Sequence, residues 1–443
     1  MASPVVESRS PSAAEPSTPQ EIDAFVKANT GWNFGVNLLD ISFMMLGMSL
    51  VSRETVMPVL VSSLTDSKLA VGLIGATVGL GFYLPQLLTA EYTERLRYKK
   101  PFVVTLGFLG ERLPYLLIAV TIWLWALRAP LAALTLFFIF LGMTTFSAGA
   151  ANPGWYDMIA KVIPVRRRGL WSGLGHSLGA GMGIAGAALV GWTLQHFPYP
   201  TNYVVLFGLA FVMVTISWVG LALNREPPSL VAKEPTPFMR YLRRLPAVLR
   251  DNPNYRAFLI GRMTVQAGAM ASVFFIVYGR TRFAIDATGI GALTAVLIGS
   301  QAVMNLVWGL WGDRNGHKRV LTAAAFALAL ASLAALLAPS AAWLAVTFFL
   351  LGAYLAADSA SGLNIILEFC APEDRPTYIG LTNTLFAPVI VVAPLIGGWL
   401  ASVMDYGGMM VVAMIIAALG ALQLLFGVEE PRHASRVAAG RLD

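Results

Sequence analysis

Charged side chains within long apolar segments are the residues of this sequence that could do chemistry. An ionised group near the centre of a bilayer costs at least ~2.5–3.5 kcal/mol on insertion scales, so such residues commonly bind a solute, carry a proton or pair with one another. The candidates for solute binding or proton coupling are Asp358, Arg262, Asp40, Glu54, Gln266, Asn364, Arg112 and Glu111.

The rest of the sequence lacks the arrangements that enzymes use. Its single cysteine, Cys370, excludes an intramolecular disulfide, a CxxC site and a cysteine-based zinc cluster, and its four histidines form no HExxH pair. The GxGxxG at 181–186 lies within an apolar segment instead of between a strand and a helix, so we interpret it as a helix-packing face. We expect no catalytic residue, no cofactor and no metal.

The segments that carry the charges are apolar enough to cross a membrane. Hydrophobic residues make up 57% of the 443 residues and charged residues only 12%, whereas a soluble domain has about 25% charged residues. A membrane core needs ~20 residues of helix. We predict an all-α membrane protein with twelve transmembrane helices. The spans, numbered 1 to 12, are 33–61, 70–90, 101–127, 131–158, 169–194, 203–223, 255–279, 289–311, 320–338, 342–369, 377–400 and 408–427.

Lysines and arginines are distributed unequally between the loops. With the N-terminus inside, the inner segments hold 24 of the 31, and the outer loops hold only Lys68, Arg128, Arg280 and Arg282. Because basic residues concentrate on the cytoplasmic side, we expect a multi-pass protein of the plasma (inner) membrane with both termini in the cytoplasm. This distribution also accounts for the net charge of +7 without a basic face, so we expect no nucleic-acid partner.

Two sets of matched positions indicate an internal repeat. The stretch 72–100 recurs at 291–319 with an offset of 219, and 168–192 recurs at 375–399 with an offset of 207. Each repeat holds six spans, so both begin on the same side and form two pseudo-symmetric six-helix bundles. The predicted divisions are a disordered cytoplasmic tail (1–32), an N-terminal bundle (33–223), a basic cytoplasmic linker (224–254), a C-terminal bundle (255–427) and a cytoplasmic tail (428–443).

The loop between spans 8 and 9 carries a recognisable motif. Residues 309–319 read GLWGDRNGHKR, which resembles the major facilitator superfamily signature GxxxD(R/K)xGxx(K/R), and 90–100 hold a degenerate copy. With the spans and the repeat, the resemblance covers 33–427 and implies a secondary transporter that works by alternating access. It also implies a central cavity lined by spans 1, 4, 7 and 10, which ranks Asp40, Glu54, Arg262 and Asp358 highest.

The same resemblance assigns a gate to the acids of the two motif copies, since an acid can cap the positive N-terminus of another helix. Glu94 would face the start of span 11 near Thr377, and Asp313 the start of span 5 near Gly169, closing the inner side. Alternatively, the basic residues beside these two acids only mark the cytoplasmic side of the membrane. The candidate gating residues are Glu94, Arg95, Asp313, Arg314, Arg168, Arg375 and Arg280.

Depth along the helices, at ~1.5 Å per residue, predicts which charges pair. We predict three ion pairs: Asp40 with Arg112, Arg262 with Asp358 and, as an outer gate, Glu54 with Arg280. Asp40 and Glu54 are separated by fourteen residues and are therefore predicted to share the cavity face of span 1.

The methionine-rich, weakly polar cavity helices favour an amphipathic or lipophilic solute. We expect a transporter coupled to protons through a buried carboxylate. A non-transporting receptor or accessory protein on the same scaffold, and an importer of a polar or anionic metabolite, remain alternatives. The expected partners are the lipid bilayer, a small solute, protons and anionic lipids at the linker stretch 238–246, which could equally be a solvated helix. We expect the chain to act as a monomer.

Overall fold

The computed structural model describes residues 18–229, 247–370 and 375–431, and each predicted span is helical there apart from an interruption of span 1 at 51–55. Spans 1 to 6 are Pro19–Leu50 with Val56–Leu64, Lys68–Arg95, Lys100–Trp125, Pro130–Val162, Val165–His196 and Thr201–Ala222. Spans 7 to 10 are Pro253–Phe283, Ala287–Asn315, His317–Leu336 and Ala341–Glu368. Spans 11 and 12 share Arg375–Gly427. The linker stretch 238–246 lies outside the described residues.

A sharp corner at Asp405 divides the last helix into spans 11 and 12. Its φ of 66° and ψ of −178° are incompatible with a helix. The Asp405 Oδ1 atom accepts a hydrogen bond from the Gly408 N–H at 2.9 Å, which caps the start of span 12. The fold therefore has twelve spans, as predicted, and both ends of the described chain lie on one side. We call this the terminal side and the opposite one the far side.

The first helix begins earlier than the sequence predicted. The Thr18 hydroxyl accepts a hydrogen bond from the Glu21 N–H, and the Glu21 carboxylate accepts one from the Thr18 N–H, which forms a capping box. Pro19 at the first helical position is compatible with such a start. Residues 19–32, which the sequence assigned to a disordered tail, are therefore helical and continue span 1, while residues 1–17 lie outside the described residues.

Three asparagines spaced by four residues attach span 1 to the beginning of the linker. The Asn33 side chain bonds the backbone of Arg225: its Nδ2 atom donates to the carbonyl at 3.0 Å, and its Oδ1 atom accepts from the N–H at 2.9 Å. Asn29 accepts one from the Arg225 guanidinium at 2.9 Å, and Asn37 bonds the Asn224 side chain. Since residues four apart share one helix face, the ladder holds 224–225 along that face.

Helix packing repeats between the halves. In the first half span 2 packs on span 4, spans 5 and 6 pack on span 1, and spans 4 and 6 pack on span 3. The second half repeats these contacts between the spans whose numbers are higher by six. The halves meet through span 2 against span 11 and span 5 against span 8, which are also related by the repeat. The predicted pseudo-symmetric arrangement of two bundles is confirmed.

On the far side the halves touch through glycines. A Cβ added to Gly291 would lie 2.7 Å from the Gly191 backbone, and one added to Gly72 would clash with the Pro394 carbonyl. The hydrogen bonds that join the halves within the described residues lie on this side: Thr294 to Thr55, Lys68 to the carbonyl of Ala401, and Thr288 to Gln195. The far side is closed.

On the terminal side the same helices separate. A Cβ on Gly183, two turns along from Gly191, would lie 3.2 Å from Ile298. Among the described residues, a Cβ on Gly173 or on Gly309 would have no neighbour within 4 Å. Gly173 and Gly309 lie eighteen residues, or five turns, from Gly191 and Gly291, so they occupy the same helix faces. The space between the halves therefore opens toward the terminal side.

Candidate functional site

An ion pair between spans 7 and 10 lies in the space between the halves. The Arg262 guanidinium donates to the Asp358 Oδ1 atom, which confirms the predicted pair. Gly362, one turn after Asp358, leaves room for it, because an added Cβ would lie 3.0 Å from that oxygen. The Arg262 side chain is only 9% exposed and that of Asp358 is 46% exposed. The buried Arg262 Nε–H has no hydrogen-bond partner among the residues that the structure describes.

A second ion pair forms where span 1 is interrupted. The Arg53 Nε and Nη2 atoms lie 2.7 and 2.6 Å from the Glu54 Oε1 atom. The predicted pair of Glu54 with Arg280 is therefore wrong. Between Leu50 and Val56 the chain leaves the helix, so these neighbouring side chains can meet, which a continuous helix would not allow. Arg280 is exposed at the far side.

Two tyrosines lie within electrostatic range of charges from both ion pairs. Tyr83 of span 2 and Tyr354 of span 10 each interact electrostatically with Arg53, Arg262 and Asp358. The Tyr354 hydroxyl donates to the Gln266 Oε1 atom at 3.1 Å, which places this candidate beside the pair. The Phe386 ring of span 11 lies 5.7 Å from the Arg262 guanidinium. We call Arg53, Glu54, Tyr83, Arg262, Gln266, Tyr354, Asp358 and Phe386 the central site.

Asp40, Arg112 and Glu111 form a separate buried cluster within the first half. The predicted pair of Asp40 with Arg112 is wrong, because Arg112 donates to Glu111 and to the carbonyl of Val214. Asp40 accepts a hydrogen bond from the Ser217 hydroxyl of span 6 at 2.6 Å, and its electrostatic interaction with Arg112 acts over a longer distance. It therefore faces span 6 and not the cavity. A π-helical turn, Gly107–Arg112, presents Glu111 beside Arg112.

The last candidate for solute binding, Asn364, bonds its own helix. Its Nδ2 atom donates to the carbonyl of Ala360 at 2.8 Å, although the side chain is exposed. Its position, two turns from Ala357 toward the terminal side of span 10, leaves it outside the central site.

The candidate gating residues other than Arg280 lie on the terminal side, where the described parts of the two halves separate. Arg95 pairs with Glu91 at 2.5 Å on one exposed helix face. The Arg168 Nε–H donates to the carbonyl of Ile163 at 2.9 Å, at the turn between spans 4 and 5. Glu94, Asp313 and Arg314 lie exposed at the terminal ends of spans 2 and 8. The side chain of Arg375 lies outside the described residues. The inner gate stays a prediction.

Glu226, at the start of the linker, joins several elements on the terminal side. Its carboxylate accepts from the backbone N–H groups of Lys99 and Lys100, at 2.9 and 2.8 Å, and pairs with Lys161 at 2.9 Å. It thereby caps span 3 and binds span 4. The Lys99 ammonium lies 3.5 Å from Asp157, and burial, assisted by Lys161, lowers the pKa of Lys99.

Sequence reasoning missed three members of the central site, Arg53, Tyr83 and Tyr354. A signal existed for Tyr354, which precedes Asp358 by four residues and so shares its helix face. Arg53 could not be found on the assumption of a continuous span 1, because adjacent residues such as Arg53 and Glu54 do not share a helix face. Nothing in the pattern around Tyr83 distinguishes it from the apolar residues of span 2.

Comparison with known proteins identifies relatives of this architecture. Residues 258–442 match the family model described as Major Facilitator Superfamily. The fold is similar to that of the nucleoside transporter NupG, with a TM-score of 0.63 and 12% identity over 89% of this chain and 98% of that one. It is also similar to a bacterial homologue of the human lysosomal transporter Spinster, in an inward-facing, unoccupied conformation, with a TM-score of 0.61 and 13% identity over 92% and 97%. A third is the human organic anion transporter MFSD10 (TETRAN), at 0.56 and 14% over 88% and 98%. No curated protein sequence matches the chain.

Proposed function

We propose that this chain is a secondary transporter of the major facilitator superfamily that moves a small amphipathic solute by alternating access and is coupled to protons. The observation that carries the proposal is the arrangement of the halves. They touch on the far side, separate on the terminal side, and hold the half-exposed Asp358 between them. A solute would therefore enter the central site from the terminal side, which is the cytoplasmic side by the distribution of basic residues.

The register of spans 5 and 8 supports the second conformation that alternating access requires. These helices are antiparallel, with Gly191 facing Gly291 on the far side. Continuing this register by five turns places Gly173 opposite Gly309, and one further turn places Asp313 opposite Gly169. Rocking of the halves would thus bring the Asp313 carboxylate to the start of span 5, where it can cap the helix.

Proton coupling is assigned first to Asp358. Its carboxylate is 46% exposed, lies between the halves and is paired with Arg262, a buried base of the second half. Asp40 is the second candidate, because its cluster holds two carboxyl groups, those of Asp40 and Glu111, for one guanidinium.

The proposal is tested by flux into proteoliposomes that contain the purified full chain, with a panel of amphipathic solutes and an imposed pH gradient. We expect gradient-driven accumulation of at least one solute. Asp358→Asn should abolish accumulation but preserve solute exchange without a gradient. Absence of flux across the panel favours the receptor alternative, and undiminished proton-driven flux in Asp358→Asn refutes its coupling role.

Alternation itself is tested by disulfide cross-linking after Cys370→Ser removes the native thiol. Gln195→Cys with Thr288→Cys, whose native side chains lie 3.5 Å apart, should cross-link in the conformation described above. Gly173→Cys with Gly309→Cys should cross-link only when the terminal side closes. A solute or pH change that raises one yield should lower the other; yields that rise together contradict alternating access.

A further inference from the structure

A groove with a volume of about 500 Å³ lies at the terminal ends of spans 1, 3 and 6. Apolar side chains line it, from Phe25 in the first turns of span 1 and from Pro101 and Val104 at the start of span 3. The beginning of the linker, 224–226, forms its third wall. We call this space the linker groove. Its lining residues belong to the first half and the linker, so it lies apart from the central site.

The linker groove lies at the level where a bilayer core ends. The helix Lys100–Trp125 has 26 residues, or ~39 Å, whereas a bilayer core is ~30 Å thick, so its terminal end reaches the headgroup region. Trp32, which contacts Arg225 of the groove, is 45% exposed, as is common for tryptophan at this level. Leu109, further along span 3 toward the far side, is 53% exposed and continues the apolar surface.

Two basic side chains of the linker groove are held next to each other. The Lys100 ammonium donates to the carbonyl of Asn224 at 2.9 Å, and Arg225 is the next residue along the chain. The Arg225 guanidinium donates to the Asn29 Oδ1 atom at 2.9 Å and lies 4.8 Å from the centre of the Trp32 ring. These contacts place one ammonium and one guanidinium at the same wall.

The acid of the linker groove is bound elsewhere. The Glu226 carboxylate accepts from the backbone N–H groups of Lys99 and Lys100 and pairs with the Lys161 ammonium. Among the described residues, neither the Lys100 ammonium nor the Arg225 guanidinium forms an ion pair, and each makes one of the hydrogen bonds given above. Because an ammonium has three N–H donors and a guanidinium five, most of these donors can bind an anion.

From these contacts we propose that the linker groove binds an anionic phospholipid of the leaflet on the terminal side. Its phosphate would bind Lys100 and Arg225, and an acyl chain would lie along Phe25, Val104 and Leu109. A free phosphate would leave the apolar wall uncovered, and a zwitterionic headgroup would bring a second cation beside the two basic residues. The proposal goes beyond the transport function and does not depend on it.

The test measures lipid binding to the purified, delipidated full chain in a nonionic detergent by native mass spectrometry. The probes are dioleoyl phosphatidylglycerol, dioleoyl phosphatidylcholine, which has the same chains and phosphate but no net charge, and inorganic phosphate. We expect the first phosphatidylglycerol to bind about 10-fold or more tightly than the first phosphatidylcholine. An equal concentration of inorganic phosphate should not displace it.

Four variants locate the site. Lys100→Gln and Arg225→Gln should each lower the preference for phosphatidylglycerol about 5-fold, because a basic residue near an anionic surface contributes about this factor. Lys100→Arg keeps the charge and should keep the preference. The matched control Arg166→Gln removes an exposed charge at the start of span 5, on the same side, and should leave the preference unchanged. A general loss of stability weakens both lipids and does not alter their ratio.

The lipid site is overturned if phosphatidylglycerol binds no more tightly than phosphatidylcholine, or if Lys100→Gln and Arg225→Gln both keep the ratio. An equal loss in Arg166→Gln would show diffuse attraction to the basic side and would also overturn it. Displacement by inorganic phosphate would assign the two cations to a free anion instead of a lipid. None of these outcomes alters the flux expected in proteoliposomes, so the lipid site and the transport function fail separately.

Discussion

Removing one partner of the Arg262–Asp358 pair should destabilise the protein by an amount that depends on which partner remains. Asp358→Asn leaves a guanidinium that is 9% exposed and already has an unpaired Nε–H. An uncompensated buried charge of this kind costs about 3–5 kcal/mol. Arg262→Met leaves a carboxylate that is 46% exposed and reaches water through the open cavity, so the loss should be close to that of a surface pair, about 1 kcal/mol or less.

The assay is unfolding of the purified variants in mixed micelles, followed by tryptophan fluorescence. The double variant Asp358→Asn with Arg262→Met should recover most of the loss of Asp358→Asn, because it no longer buries an unpaired charge. Losses that are equal in the two single variants, or larger for Arg262→Met, would refute the assignment of Arg262 as the buried partner. Strict additivity in the double variant would show that the two residues do not interact.

Three further outcomes follow from the packing. Gly291→Val should hinder closure of the far side and shift the protein away from the conformation described above, whereas Gly309→Val should hinder closure of the terminal side. Distances between spin labels placed across each side measure both effects. Shifts of the two variants in the same direction would contradict the rocking model. Glu226→Gln should lower unfolding free energy by about 1–3 kcal/mol, because buried N–H groups lose a charged acceptor, while the exposed control Glu91→Gln should change it by about 0.5 kcal/mol or less; comparable losses would refute the capping role. Ser217→Ala should cost about 1–3 kcal/mol by the same unfolding assay, since Asp40 loses its hydrogen-bond donor, and an unchanged stability would show that another group replaces it.

The spans, the repeat and one ion pair could be predicted because they depend on long, regular patterns. Composition and the spacing of basic loops determine twelve apolar helices. Arg262 and Asp358 were matched by depth alone, which is reliable where both helices are regular on the relevant side. The capping of span 1 at Thr18 was also present in the sequence, but it was obscured by the polar composition of the preceding residues.

The incorrect pairs arise at irregular backbone. The sequence predicts the pair of Glu54 with Arg280 only if span 1 is a continuous helix, yet the helix is interrupted after Leu50. Pro58, in the first turn of the following helix Val56–Leu64, is the sequence signal for this break. Depth along the helices predicts the pair of Asp40 with Arg112, but a π-helical turn brings Glu111 to that arginine. A local departure such as this turn depends on tertiary packing, which a single sequence does not reveal.

The asparagine ladder of span 1 has a practical consequence for dividing the protein. The ladder fixes 224–225 to the first half. The Asn254 side chain accepts a hydrogen bond from the Glu429 N–H at 2.8 Å and donates one to the Glu429 carbonyl at 3.0 Å, which fixes the beginning of span 7 to the second half. Each bundle therefore holds its own end of the connection. A chain cut between these anchors should yield two polypeptides that can be synthesised separately and reassemble in the membrane, so the bundles can be labelled, isotopically or with fluorophores, one at a time.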